Sequence, residues 1–219
     1  MYLSRLQLNP TNRQVWRQHL HNPYNVHQMV MRGFSNGVSR EAAQVLHRLE
    51  VRDDLPMLLV QSAIKPDWSG LDPAYLVAPD PFDPWPNPAV RSLNLPLQIN
   101  QPLSFRLIAN PTIKKGRWDD EAGKTLNSNR VPLLHENEQR GWLNKRAELS
   151  GFKVLDVAIS QGQSQKMWKA RGAKPMTLYT VQFDGYLQVI DPAAMIAAVQ
   201  NGIGPAKAFG CGLLSLARA

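Results

Sequence analysis

"DPAAMIAAVQNGIGPAKAFGCGLLSL", residues 191–216, reads as a helix, a glycine-rich loop and a strand in immediate succession. Asp191 can cap the helix and Pro192 can occupy its first turn, where a missing N–H breaks no hydrogen bond. The glycines that follow end the regular pattern, and the apolar run Leu213–Leu216 starts a new one as a short strand. The glycine spacing invites comparison with a dinucleotide-binding fingerprint. It fails, because Lys207 stands where the third glycine is required and the loop follows a helix instead of opening one. The phosphate-loop motif fails too, since no Gly-Lys-Ser or Gly-Lys-Thr is present. Two readings stay open: a tight turn, or a loop whose backbone at Gly204 and Gly210, with Lys207, approaches phosphates closely.

Upstream of this stretch, "FKVLDVAIS" (152–160) and "LYTVQFDGYLQVI" (178–190) alternate as strands. The segment between them, "QGQSQKMWKARGAKPM" (161–176), reads as an exposed hairpin connection in which Lys166, Lys169, Arg171 and Lys174 are interleaved with Met167 and Trp168. That composition suits either a solvated loop or a hairpin that grips a nucleic-acid backbone. A helix is expected over Leu134–Leu149 with Trp142, Leu143 and Ala147 inward, preceded by a charged loop, Thr112–Arg130, and a strand around Phe105, Leu107 and Ala109. The second half thus runs strand, helix, strand, strand, helix, strand.

The first half approximates the same order. "MYLSRLQL" (1–8) alternates as a half-buried strand, "NPTNRQVWRQHL" (9–20) gives a turn and a helical pattern, and a second short helix starts at Asn22. "VLHRLEV" (45–51) and "MLLVQSA" (57–63) form a hairpin about "RDDLP". The proline-rich stretch 71–96 reads as an irregular linker in which no central strand persists, and a second helix is hard to find. The expectation is an α+β protein of two tandem ferredoxin-like domains, 1–94 and 95–219, whose sheets suit RNA.

Composition supports a folded chain with a polyanionic partner. Of 219 residues, 43% are hydrophobic and 19% charged, too apolar for disorder, while a net charge of +8 and a pI near 9.8 favour nucleic acid. Cys211 is the only cysteine, so the chain forms no internal disulfide and no thiolate metal cage. With no apolar run of membrane-spanning length and no signal-peptide pattern at the N-terminus, the expected location is the cytoplasm, away from membranes.

"NPYNVHQMV" (22–30) holds the pair of residues with chemistry to offer. Asn22 caps the helix and Pro23 enters its first turn. At about 100° per residue, Val26, Met29, Val30 and Gly33 gather on the core side, Tyr24, Gln28 and Arg32 lie opposite, and His27 falls on the border. A border histidine is shielded yet reachable, and imidazole exchanges protons near neutral pH. Tyr24, three positions earlier, is its neighbour on the helix surface. Packing alone is the competing explanation. His19, His21, His47 and His135 show no ligand spacing.

Taken together, "NPYNVHQMV", "LLVQSA" with "KPDWS", "FRLIANP", "RVPL", "GWL" and above all "GIGPAKAFGCGLLSL" resemble the CasE family, the CRISPR-associated endoribonucleases of the type I-E Cascade complex. The resemblance runs through nearly the whole chain and is weakest in the proline-rich linker and over 114–129. It implies two ferredoxin-like, RRM-like domains of RAMP type and metal-independent cleavage at the repeat hairpin of precursor CRISPR RNA. It also implies retention of the mature guide among the other Cascade subunits, with no cofactor. On that resemblance His27 matches the catalytic histidine and Tyr24 the tyrosine that accompanies it in closer relatives; Arg32 falls where a basic active-site residue can stand, with Ser35 nearby. The rival reading is a non-catalytic module that binds an RNA hairpin.

Overall fold

The computed structural model describes residues 1–78, 82, 84–119, 124–170 and 172–219, with backbone alone at 18, 19, 117–119 and 124–129. The first strand, β1 (Tyr2–Gln7), is followed by a π-helical segment, Val15–Leu20, and by α1 (Pro23–Met31). Next come β2 (Leu46–Arg52) and β3 (Leu55–Ser62), joined by Asp53 and Asp54, both at positive φ. Two left-handed residues in a row match the twist of paired strands, which is why so short a turn closes this hairpin. β4 (Ala89–Ser92) pairs with β1, from Tyr2↔Ser92 to Arg5↔Ala89. The proline-rich stretch is therefore not irregular throughout: its last residues form an edge strand, where prolines to either side break no ladder. Within the same stretch the only helical element among the described residues is a 3₁₀ turn, Pro73–Tyr75, in place of a second helix.

β5 (Pro102–Ala109) opens the second sheet. It is followed by β6 (Thr112–Asp119) and β7 (Lys124–Pro132), which pair antiparallel over the region expected to be a charged loop. Its lysines and arginines hide the strand: Ile113, Lys114, Lys115 and Gly116 are exposed in succession, so both faces of β6 meet solvent there and need no apolar alternation. α2 (Glu136–Leu149) buries Gln139, Trp142, Leu143 and Ala147, as its 3.6-residue period requires, and leads into β8 (Phe152–Ile159). β9 (Gln163–Met167) and the long β10 (Met176–Val189) follow, paired from Met176↔Met167 to Thr180↔Gln163, so the connection 161–176 is partly strand. α3 (Pro192–Asn201) starts as its sequence indicates, with the Asp191 carboxylate accepting from the N–H groups of Ala193 (2.9 Å) and Ala194 (3.1 Å). β11 (Leu214–Arg218) closes the sheet.

Both large sheets are antiparallel with corresponding strand orders, β4-β1-β3-β2 and β11-β5-β10-β8. Each has its own core. Leu6, Leu8, Val26, Met29, Val30, Leu58 and Val60 pack between the first sheet and α1; Leu107, Leu143, Phe152, Phe183, Leu187 and Met195 pack beneath α2 and α3. The halves meet through polar groups as well. Gln61 Nε2 donates to Val199 O at 2.7 Å, and the buried Arg48 guanidinium donates to Leu213 O (3.2 Å), Arg106 O (3.4 Å) and Ser215 Oγ (2.9 Å). No described helix is long and apolar enough to cross a membrane.

Candidate active site

Asn22 fixes where α1 begins, and it does more than cap. Its Oδ1 accepts from the N–H of Tyr24 at 3.2 Å and from that of Trp168 at 3.4 Å, while Nδ2 donates to Trp168 O at 2.7 Å. One amide side chain thereby ties the N-terminus of the helix to the β9–β10 hairpin, 146 residues away in sequence. Gln165 Nε2 adds a bond to His21 O at 3.4 Å. Met167 is turned inward, buried with Leu178 and Cys211 against Phe209 and Ala206, so the base of the hairpin and the glycine-rich loop share one small apolar cluster. The sequence suggested that Met167 and Trp168 stand out together; only Trp168 does. Burial pushes the Cys211 thiol up to about 12, which leaves it protonated and inert.

The glycine-rich loop reaches α1 from the other half. A 3₁₀ turn, Lys207–Phe209, packs against both α1 and β2. Gly204 and Gly210 have φ of +84° and +86°, in the region that glycine alone enters without strain. At Gly204 a Cβ would also press on the Trp142 ring, 2.9 Å away. Lys207 is partly buried, and burial followed by the charges of Arg40 and Arg146 lowers its pKa.

His27 is half-buried, as its border position on the helical wheel indicates, while Tyr24, one turn earlier and expected on the outward face, is half-buried too. His27 Nδ1 points inward and has no hydrogen-bond partner among the described residues. Burial, then the positive charge of Arg40, lowers the His27 pKa, and Glu41 opposes them. The imidazole is therefore uncharged at neutral pH in the free protein, the form that accepts a proton. Behind it stands His47 on β2, with ring centroids 6.4 Å apart and planes 22° from parallel. Nothing in the spacing of His47 marks it in the sequence; only the packing of α1 on the sheet brings the rings together. Burial, His27 and Arg40 push its pKa down to about 3. Arg40 is held by Val45 O at 3.2 Å and by Glu41 Oε1 at 2.6 Å.

The remaining candidates lie around this centre. Arg32 is exposed at the C-cap of α1, and Ser35 is exposed just beyond. Lys166 on β9 and Lys169 and Lys174 in the following turn are exposed, and none has an acidic partner among the described residues. Arg171 lies outside the described residues. No three His, Cys, Asp or Glu side chains among the described residues are grouped as metal ligands.

The family model described as "CRISPR associated protein" matches residues 1–218. The CRISPR-associated endoribonuclease Cse3 of Thermus thermophilus is 34% identical over 231 residues, spanning 99% of this chain and 100% of the relative. The Cascade subunit CasE of Escherichia coli is 39% identical over 129 residues, 58% of this chain and 63% of that protein. A solved structure of Cse3 bound to 19 nt RNA matches with a TM-score of 0.79 at 33% identity, covering 99% of this chain and 100% of that one. Because the family model and the Cse3 matches run the length of both sheets and through α1 and the glycine-rich loop, the chain belongs to the family of CRISPR-associated endoribonucleases that Cse3 and CasE represent.

Proposed function

We propose that the chain cleaves precursor CRISPR RNA at its repeat hairpin by attack of the ribose 2′-OH on the adjacent phosphate, without a metal ion. The 2′-O–P bond forms as the P–O5′ bond breaks, leaving a 2′,3′-cyclic phosphate and a 5′-hydroxyl. His27 is the proton-transfer group. Its uncharged imidazole takes the proton of the 2′-OH, Tyr24 orients the reacting groups or protonates the departing oxygen, and Arg32 steadies charge on the phosphorane. The observation that carries this reading is convergence: a half-buried neutral histidine on α1, with the glycine-rich loop packed on the same helix and the basic hairpin tied to its cap.

Lys166, Lys169, Arg171 and Lys174 with Lys207 supply phosphate contacts, and the backbone at Gly204 and Gly210 lets the RNA come close. An RNA stem hides its major-groove edges, so recognition rests on stem shape and on bases at the junction. The matching strand orders of the two sheets support reading residues 1–94 and 95–219 as tandem ferredoxin-like domains. The product stays bound as part of a Cascade assembly in antiviral defence, as the Cascade membership of CasE suggests. The reduced, buried Cys211 fits work in the cytoplasm.

One gel tests this. With repeat RNA and chelator present, the wild type cuts, and His27→Ala cuts about 10²–10⁴-fold more slowly with binding largely kept. A 2′-deoxy substitution just upstream of the cut abolishes cleavage. Cutting of the deoxy substrate, or inhibition by chelator, would overturn the mechanism; no cutting at all by the wild type returns the chain to the non-catalytic RNA-binding reading.

A further inference from the structure

A buried imidazole without a hydrogen-bond partner is a costly thing to keep in a core, and His47 is one. It is 1% exposed, and its Nδ1 is unpaired among the described residues. An apolar side chain of similar size would fill the same place without that cost, so the choice of a histidine asks for a reason beyond packing density. Its surroundings supply one. On one side lies the His27 ring; on another lies the glycine-rich loop, where a Cβ at Gly210 would come 3.8 Å from His47 Nε2. In the β2–β3 ladder its partner is the apolar Val60, and its chain neighbour Arg48 points across to the second sheet. The charged groups that act on the pair of rings are Arg40 and Glu41 from the loop after α1, and Lys207, in the turn packed on α1 and β2, feels Arg40 as well.

We propose that His47 is a positioning residue for the cleavage reaction: its ring backs the His27 imidazole, fixes the plane of that imidazole, and passes to it the seating of the glycine-rich loop. This rests on reading His27 as the proton-transfer group. With centroids 6.4 Å apart and both Nδ1 atoms unpaired among the described residues, no hydrogen bond joins the two rings, so His47 hands His27 no proton and acts through packing. Being wholly buried it stays uncharged, and it adds no second positive charge that would compete for the proton His27 must accept. The glycine-rich loop and the His27 ring both neighbour the one His47 ring, so a change in how RNA seats the loop reaches His27 through it. Binding and orientation are thereby coupled through one side chain.

Two variants of the full chain separate this from a merely structural role. His47→Phe keeps a flat ring and removes the nitrogens; His47→Leu removes the ring. In single-turnover cleavage of saturating repeat RNA, the leucine variant is expected to be roughly 10–100-fold slower, the cost of a misaligned reacting group, while affinity changes by no more than about twofold. The phenylalanine variant recovers most of the rate. In the RNA-free protein, the NMR titration of His27 moves up toward the ordinary histidine range in the leucine variant, as water reaches its inner face, and stays put in the phenylalanine variant.

The proposal is overturned if the leucine variant cleaves at the wild-type rate with an unmoved His27 titration, or if both variants are equally slow while remaining folded. It is equally overturned if affinity falls in step with rate. Should the leucine variant fail to fold, the phenylalanine variant decides by its rate and its His27 titration. Failure of the underlying reading shows separately, as wild-type cleavage by His27→Ala.

Discussion

Arg40 ties the centre together at the scale of single residues, because His27, His47 and Lys207 all feel its charge. A positive neighbour disfavours protonation, so it acts in the same direction as burial on His27. Cleavage that needs the neutral imidazole is lost as pH falls through the His27 pKa, and since that pKa is lowered, the acid limb of kcat/KM lies below pH 6.5. Arg40→Gln removes one of the two lowering effects and moves the limb up; a pH-rate series on both proteins checks this. His47 makes a second pH dependence, in folding. The unfolded chain protonates this ring near pH 6.5, whereas the folded one refuses the proton until about 3. Stability is therefore intact above 6.5 and lost as pH falls from 6.5 toward 3, with a slope of about 1.4 kcal/mol per pH unit from this group. His47→Phe abolishes that share of the slope, which urea unfolding at a series of pH values between 5 and 7 reads before most carboxylates titrate.

At the scale of elements, α1 is short, nine residues, and holds its place by its cap and its core face. A helix this short is not stable on its own. Asn22→Ala removes the cap and, with it, both hydrogen bonds to Trp168. The expected loss is about 1–2 kcal/mol of stability, with cleavage reduced further than the change in folded fraction explains, because the hairpin and the helix lose their common anchor. Thermal unfolding beside single-turnover cleavage measures the two effects. The β6–β7 ribbon makes the opposite point. It carries charge along its length and still forms strands, since its partner strand and not a core supplies what it needs. Hydrophobic alternation, the usual sign of a strand, is absent over Ile113–Gly116, where both faces are exposed.

Across the whole molecule, the two sheets are held in register by a charged centre. Arg48, 3% exposed, pairs with Glu50 at 2.8 Å on its own strand and donates to three acceptors on β5, β11 and the residue just before β11, while Arg106 joins Glu50 (3.5 Å) to Asp184 (2.6 Å). Arg48→Leu strands those acceptors and leaves Glu50 with the more distant Arg52 and Arg106. The expected cost is roughly 3–5 kcal/mol, and the double variant Arg48→Leu/Glu50→Leu recovers part of it, since two apolar groups leave no buried charge unpaired. Urea unfolding of the three proteins tests the ordering. The site depends on this junction, for α1 belongs to one sheet and both elements that meet it, the hairpin and the glycine-rich loop, belong to the other.

Local chemistry was enough to read most elements and one half of the site. Caps at Asn22 and Asp191, the turn at Asp53 and Asp54, and the border position of His27 are all decided within a few residues, where backbone geometry and helical period act directly. His47 and Arg40 were illegible because a buried imidazole in a strand looks like any other polar residue until something is packed on it. The same holds for Met167 and the edge strand β4, whose roles come from partners distant in the chain. Sequence by itself determined where α1 and α3 start and that His27 stands at the border of the α1 core face. The tertiary structure alone decided which side chains surround that imidazole, because desolvation and ring contact are properties of the packed interface between two sheets, and no segment carries them alone.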